Sequence, residues 1–449
     1  MDSSLRIVVT GLIAQHPFLG GISWHYLQYL LGLRRLGHDV YYFEDSGQWP
    51  YNFDGGASGN DWVSYDCSEN VDYLNSLMRR FGLGNRWSYR FPLRNQWYGL
   101  SDRKRSDVVN RADLLLNVSG SLEFPDHYRQ VGRLVYIDTD PVFTQVKLAR
   151  GEQDFGRRVD AHDVHFTYGE CLSNSVPRTG HNWRPTRQPI VLSEWNLSNS
   201  TRDVFTTVMS WTSYKPLTYA DKIYGQKDVE FYRFLDLPMK VRPITLEIAL
   251  TNIEHVNWRT EIMNIPPAVV ELMQQQNQWS SRELLAHTGW NVVDARSTCG
   301  DLDSYRSYIQ CSKAEWSVAK NGYVQGRSGW FSERSACYLA SGRPVVVQDT
   351  GFPAVLPVGE GIFAFKTIED ASAAIEKIEA NYASEAKAAR AIAEEYFDSE
   401  KVLTRLIEEA LISDGIASNS LAVRSEKERK ADHTGKIARE YTVDGKQIR

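Results

Sequence analysis

The chain has 449 residues, 42% of them apolar and 24% charged, with a formal charge of −5. That length exceeds what one ordinary core organises, so two domains of roughly 200 residues each are expected. The mild acidity gives no general pull toward nucleic acid or anionic lipid, so nucleic acid is left out of the expected partners.

Five cysteines are scattered at Cys67, Cys171, Cys299, Cys311 and Cys337, without a CxxC pair. Neither a disulfide framework nor a cysteine metal site follows. The opening "MDSSLRIVVTGLIAQHP" lacks a signal-like apolar region, and no run approaches the roughly 20 apolar residues of a membrane span. The expectation is a reduced, cytoplasmic chain with no transmembrane segment.

In chain order, "RIVVTGLIA" reads as a buried strand. "ISWHYLQYLLGLRRLG" places Ile22, Tyr26, Tyr29, Leu30, Leu33 and Leu36 at helical spacing and stops at Gly37, a C-cap signal. "HDVYYFED" is the next strand, which completes a βαβ unit. From 46 to 100 the alternation lapses into an aromatic-rich stretch running from Trp49 to Tyr98, expected as an insertion with one or two helices. Strands resume at "ADLLLNVSG", "GRLVYIDTD" and "VHFTYG".

A linker is expected at "RPTRQPIVLSEWNLSNSTRD". Beyond it "VFTTVMSW", "PMKVRPITLEIAL", "GWNVVDA", "YRSYIQCS" and "GRPVVVQD" read as strands. "KDVEFYRFLDL", "IPPAVVELMQQQNQ", "SERSACYLASG" and the long "IEDASAAIEKIEANYASEAKAARAIAEEYF" read as helices. This is α/β alternation twice over, with parallel sheets and a cleft at the carboxyl ends of their strands. The expected division is 1–198, 199–395, a C-terminal helix over 396–417 and a polar, flexible tail over 418–449.

Two stretches carry chemistry. Gly20 and Gly21 stand between the first strand and first helix, where glycines let backbone approach a ligand and leave helix N–H groups facing it. The second is "YIQCSKAEWSVAKNGYVQGRSGWFSERSACYLASGRPVVVQDTG". With "GG…LGHDV" near the start, and "S-x-x-E" followed by "YLASGRPVVVQDTG", the chain resembles the retaining group of GT-B glycosyltransferases. The resemblance covers about 5–45 and 290–412. It implies two Rossmann-like domains facing a central cleft, acceptor on the N-terminal one and nucleotide-sugar donor on the C-terminal one.

Carried over by position, Glu315 matches the acid that contacts donor-sugar hydroxyls. The loop from Gly326 to Ser332, with Arg327, Ser328 and Gly329, leads into the helix that would face a diphosphate, and Lys320 and Arg327 are candidate phosphate partners. The resemblance places a ribose-binding acid at 337, which is Cys337 here; the nearest acid is Glu333, one turn earlier. Lys215 is a further candidate for the diphosphate, whereas Lys222 and Lys227 are expected to face solvent.

On the acceptor side His16, Asp138 and Asp140 compete as catalytic base, a role needed only if transfer inverts the anomeric centre. His25 reads as structural. Asp138-Thr139-Asp140 also spells DxD, a metal-diphosphate signature of the other major glycosyltransferase fold, which the two-domain layout disfavours.

The expected function is metal-independent transfer of a sugar from a nucleoside diphosphate sugar, without cofactor, to a small-molecule, lipid or glycan acceptor. The alternatives are an epimerase of the same fold, a phosphorylase, or a binding protein without turnover.

Overall fold

A computed structural model describes residues 4–51, 65–198, 201–251 and 281–412. The expected helix "IPPAVVELMQQQNQ" and the tail over 418–449 lie outside those residues. The chain divides into two units, Met1–Leu406 and Ile407–Arg449. The first holds both sheets; of the second, only the end of the Ser399–Leu411 helix is described.

The first sheet is built from β1 (Arg6–Thr10), β2 (Asp39–Glu44), β3 (Trp87–Phe91), β4 (Gln96–Gly99), β5 (Leu114–Val118), β6 (Arg133–Asp138), β7 (Val164–Thr167) and β8 (Trp183–Pro185). Its order is β4-β3-β2-β1-β5-β6-β7-β8, parallel except for the β3–β4 hairpin at the edge. Sequential strands lie beside β1 on both sides, so the strand order reverses between β1 and β5. The stretch expected as an insertion therefore also supplies two strands. β3 alternates at period two, with Trp87, Tyr89 and Phe91 buried, and Asn95 takes the left-handed conformation that the turn into β4 needs.

The second sheet contains β9 (Val204–Ser210), β12 (Thr245–Thr251), β13 (Asn291–Asp294), β14 (Ala314–Ser317), β15 (Val345–Gln348) and β16 (Ile362–Phe365). Its order is β13-β12-β9-β14-β15-β16, all parallel, again with the reversal beside its first strand. A small hairpin of β10 (Leu217–Tyr219) and β11 (Lys222–Tyr224) follows β9. Two doubly wound α/β sheets of this order are the Rossmann-like pair expected of a GT-B fold.

One element differs in kind. "YRSYIQCS", expected as a strand, lies mostly in the helix Leu302–Cys311, and the strand is β14 just after it. Asp301 caps that helix, its Oδ1 accepting from the N–H groups of Asp303 at 2.8 Å and Ser304 at 2.9 Å. Tyr305, Tyr308 and Ile309 then fall on one buried helical face. Aromatic and β-branched content suggested a strand; the cap and the 3–4 spacing prevailed.

Each sheet has its own core. Val8, Phe43 and Leu115 anchor the first, and Trp316 sits at the centre of the second, with Trp290 at 5.0 Å and Phe365 stacked at 5.6 Å. A third cluster joins them. Val142 and Phe143 from the first sheet's side meet Tyr224, Ala319 and Tyr323 from the second.

Candidate active site

The first helix, α1 (Gly20–Arg35), begins at the carboxyl end of β1 and reaches the second sheet's side. A Cβ on Gly20 would lie 2.3 Å from the Asp301 carbonyl oxygen, and one on Gly21 would lie 3.2 Å from the Tyr305 ring. The Gly20 N–H donates to Gly300 O at 3.1 Å, and Trp24 Nε1 donates to Leu302 O at 2.9 Å. The glycine pair is thus required by a close approach of protein to protein. It also lines a cleft of ≈370 Å³ at the carboxyl ends of β1 and β9, where both strand orders reverse.

Three cations line this cleft: Lys227, Lys320 and Arg334. Arg334, in the helix Glu333–Ala340, is fixed by three acceptors. Its Nε donates to Glu315 Oε1 at 2.6 Å, Nη1 to Val208 O at 2.7 Å and Nη2 to Ser317 Oγ at 2.7 Å. Glu315 on β14 is fully buried, and Arg334 stands between its carboxylate and the cleft. The expectation that Glu315 touches donor hydroxyls is therefore replaced by a role in holding the guanidinium.

Lys320 Nζ donates to Asp140 Oδ1 at 3.0 Å and to Tyr214 OH at 3.1 Å. The Tyr214 and Tyr323 hydroxyls also donate to Asp140. Burial alone would raise the Asp140 carboxyl, but Lys320 and the two hydroxyls outweigh it and hold it below its ordinary value. Asp140, at the end of β6, thus clasps the second sheet's side.

Lys227 is the third cation and differs from the others. It opens the short helix Lys227–Phe231 and makes no hydrogen bond or ion pair among the described residues. Burial, and then Arg334 and Lys320 as like charges, push its ammonium well below its ordinary value, against the opposing pull of Glu315. The sequence expectation was that it faces solvent; the β10–β11 hairpin, which stands between it and the end of β9, brings it back to the cleft. Arg334 was also missed; the signal for it was the rule that a buried acid such as Glu315 needs a cation.

The other expected residues fall elsewhere. Asp138 is sealed, and its carboxylate accepts from Thr144 Oγ1 at 2.7 Å, Thr167 Oγ1 at 2.9 Å, Gln145 Nε2 at 3.0 Å and the Asp140 N–H at 3.1 Å. Burial raises it to about 6. His16 stacks on Tyr51 with ring centres 4.6 Å apart, and burial lowers it to about 4.

Lys215 is exposed on the loop after β9. Arg327 is half exposed and reaches Asp349 at 3.4 Å. Ser328 O accepts from the Cys171 N–H at 2.8 Å, and a Cβ on Gly329 would meet the same nitrogen at 2.8 Å, so this loop packs on the first sheet's side. Glu333 pairs with His25.

The carboxylates of the DxD triplet thus serve separate partner sets, Asp138 in the loop that follows it and on β7, and Asp140 across the cleft. Trp330, stacked on Tyr323 at 4.1 Å, completes the lining with an aromatic face.

No family model and no curated protein matches the sequence. Solved structures do match. An α-glucosyltransferase in complex with UDP-glucose and DNA containing an abasic site is 13% identical, covers 91% of this chain and 100% of its own, and has a TM-score of 0.52. The Anabaena protein Alr3699/HepE in complex with UDP and glucose is 12% identical over 90% of this chain and 99% of its own, with a TM-score of 0.51. An α-glucosyltransferase with UDP and a 13-mer DNA containing an HMU base is 12% identical at a TM-score of 0.50. At these identities the likeness shows the fold.

It also corrects one expectation. A protein of this fold is in complex with DNA, so the exclusion of nucleic acid on grounds of net charge is withdrawn. No described helix is long and apolar enough to cross a membrane.

Proposed function

We propose that this chain is a glycosyltransferase that takes its sugar from a nucleoside diphosphate donor bound in the cleft. The observation that carries the reading is the charge arrangement at the two strand-order reversals. Arg334 is balanced by Glu315 and Lys320 by Asp140, while Lys227 makes no hydrogen bond or ion pair among the described residues and sits beside two like charges. A cation held this way gains free energy from a bound anion, and a diphosphate supplies the charge.

In transfer, the acceptor oxygen bonds to the anomeric carbon as the bond from that carbon to the diphosphate breaks. The electron pair leaves on the diphosphate, and Lys227, Lys320 and Arg334 stabilise that charge where it develops. Three preorganised side-chain cations support a metal-independent reaction. The same arrangement favours a donor domain over 199–395, which contributes all three, and an acceptor domain over 1–198. The UDP and UDP-glucose of the similar structures are in keeping with this donor class.

A thermal-shift panel of UDP, ADP, GDP and dTDP, each with and without chelator, tests the proposal. One nucleotide at a hundred times its Kd should stabilise the fold by about 2.7 kcal/mol, unchanged by chelator. Stabilisation that requires a divalent metal would refute metal independence, and a silent panel would refute the donor class.

A further inference from the structure

Among the described residues, none of the aromatic-rich stretch after β2 lines the donor cleft, yet two of its rings belong to a second surface. Phe18, Trp49, Tyr65 and Phe124 are between 38% and 72% exposed. No other phenylalanine, tyrosine or tryptophan among the described residues reaches that exposure. All four lie in the connections that leave the carboxyl ends of β1, β2 and β5. Those strands are neighbours near the middle of the first sheet, so the connections share one end of it over about 10 Å. Exposed rings gathered in one place mark a binding surface.

Hydrogen bonds tie these connections to one another. The Tyr51 N–H donates to Gln15 O at 2.9 Å and Gln15 Nε2 to Gln48 Oε1 at 2.8 Å, which joins the segments after β1 and β2. The Glu123 N–H donates to Asp45 O at 2.9 Å, which joins the segments after β5 and β2. Asn70 Nδ2 donates to Ala14 O at 2.8 Å and to Tyr51 O at 3.0 Å, so the helix Ser68–Arg80 braces the same loops. Trp49 and Tyr65 meet edge to face at 5.1 Å. Phe18 tilts over Tyr73 at 4.9 Å from the left-handed region, at φ +56°. An aromatic residue rarely takes that conformation, which persists where the surrounding structure imposes it. The next residue, Leu19, lines the donor cleft, so the two surfaces adjoin.

The polar groups beside the rings indicate the ligand. Gln48 precedes Trp49, Asp66 follows Tyr65 and Glu123 precedes Phe124; the first two are exposed and Glu123 is half-buried. Carboxylates and a carboxamide accept from sugar hydroxyls, while the C–H face of a pyranose packs on an aromatic face. A phosphate backbone or an anionic headgroup would meet carboxylates here, and the guanidinium bound to them, Arg90, is already shared by Asp45 and Glu123. Rings on three adjacent strands also present more area than one pyranose covers.

We propose that Phe18, Trp49, Tyr65 and Phe124 form the acceptor platform, and that the acceptor is a glycan of more than one sugar. The inference rests on the glycosyl-transfer reading of the cleft. Stacking on the rings holds the glycan and places its terminal hydroxyl past Leu19, at the donor.

Calorimetry on the full chain tests this. The chain is titrated with hexasaccharides of α-linked glucose, β-linked glucose, β-linked mannose and β-linked N-acetylglucosamine, and separately with UDP, ADP, GDP and dTDP. A short duplex DNA and phosphatidylglycerol vesicles are the contrasting probes. One hexasaccharide should bind, and Trp49→Ala and Phe124→Ala should each weaken it at least about tenfold, with Trp49→Phe keeping most of the affinity. Met239→Ala, at an exposed apolar residue of the second sheet's side, should leave it unchanged. All four variants should keep the wild-type urea midpoint, and nucleotide Kd within about twofold.

No hexasaccharide binding, or binding undiminished by both alanine substitutions, would overturn the inference while leaving the donor site in place. DNA or vesicle binding that those substitutions abolish would give the rings to another partner and overturn it too. A wild type that binds a hexasaccharide but no nucleoside diphosphate would sink the donor reading, and the acceptor role with it.

Discussion

Arg334 ties β9, β14 and the start of the 333–340 helix together at the cleft. Its guanidinium reaches a carboxylate and a hydroxyl on β14 and a backbone carbonyl on β9, a fan of donors that lysine lacks. Removing it leaves the fully buried Glu315 without the ion pair that balances it. Arg334→Ala should therefore destabilise the protein by about 3–5 kcal/mol in urea unfolding. Adding Glu315→Gln to it should recover part of that loss, because the stranded charge is gone. Arg327 is the control. Half exposed and 3.4 Å from Asp349, it should cost within about 0.5 kcal/mol on change to alanine, with nucleotide affinity unaltered.

At the scale of elements, the approach of α1 to the 302–311 helix sets one wall of the cleft. Gly20→Ala places a methyl group against the Asp301 carbonyl, which is backbone and has little room to give. The substitution should cost about 1–3 kcal/mol, seen as a lowered urea midpoint at unchanged slope. That contact also shows where reading the sequence reached its limit. Both parallel sheets were legible, because β1, β2, β5, β6, β9 and β15 are short apolar runs that need burial on both faces. The glycine pair was legible as a close approach, but local sequence carries no sign that its neighbour is a carbonyl nearly three hundred residues away. Lys320, singled out beside its motif, does line the cleft. Lys227 and Arg334 were not singled out, since their places at the cleft come from cross-strand neighbours and from a hairpin between β9 and Lys227.

For the whole molecule, buried ionisable groups set the response to pH. Burial lowers His16 and His165 from 6.5 to about 4, and His162 to about 3. Their stabilising contribution is full above about 6.5 and is lost as pH falls through those values. Burial raises Glu44 from 4.5 to about 7 and Asp138 from 3.8 to about 6, with the opposite sign. Their contribution is full at low pH and is lost as pH rises through about 7 and 6. Between roughly pH 4.5 and 6 the unfolded chain binds three of these protons and the native chain two. Stability should then rise with pH by about 1.4 kcal/mol per pH unit across that window, measured by urea unfolding. A flat or falling profile would mean that the histidines are hydrated in solution.

The proposed donor role of the cleft rests on Lys227 more than on any fold-level likeness. Calorimetric titration of the wild type and of Lys227→Ala with the nucleoside diphosphate selected by the thermal panel, in chelator, tests that dependence directly. The account predicts one site per chain in the wild type and at least about tenfold weaker binding in the variant, equivalent to about 1.4 kcal/mol. Equal affinity in the two proteins, or no binding of any nucleoside diphosphate by the wild type, would contradict it.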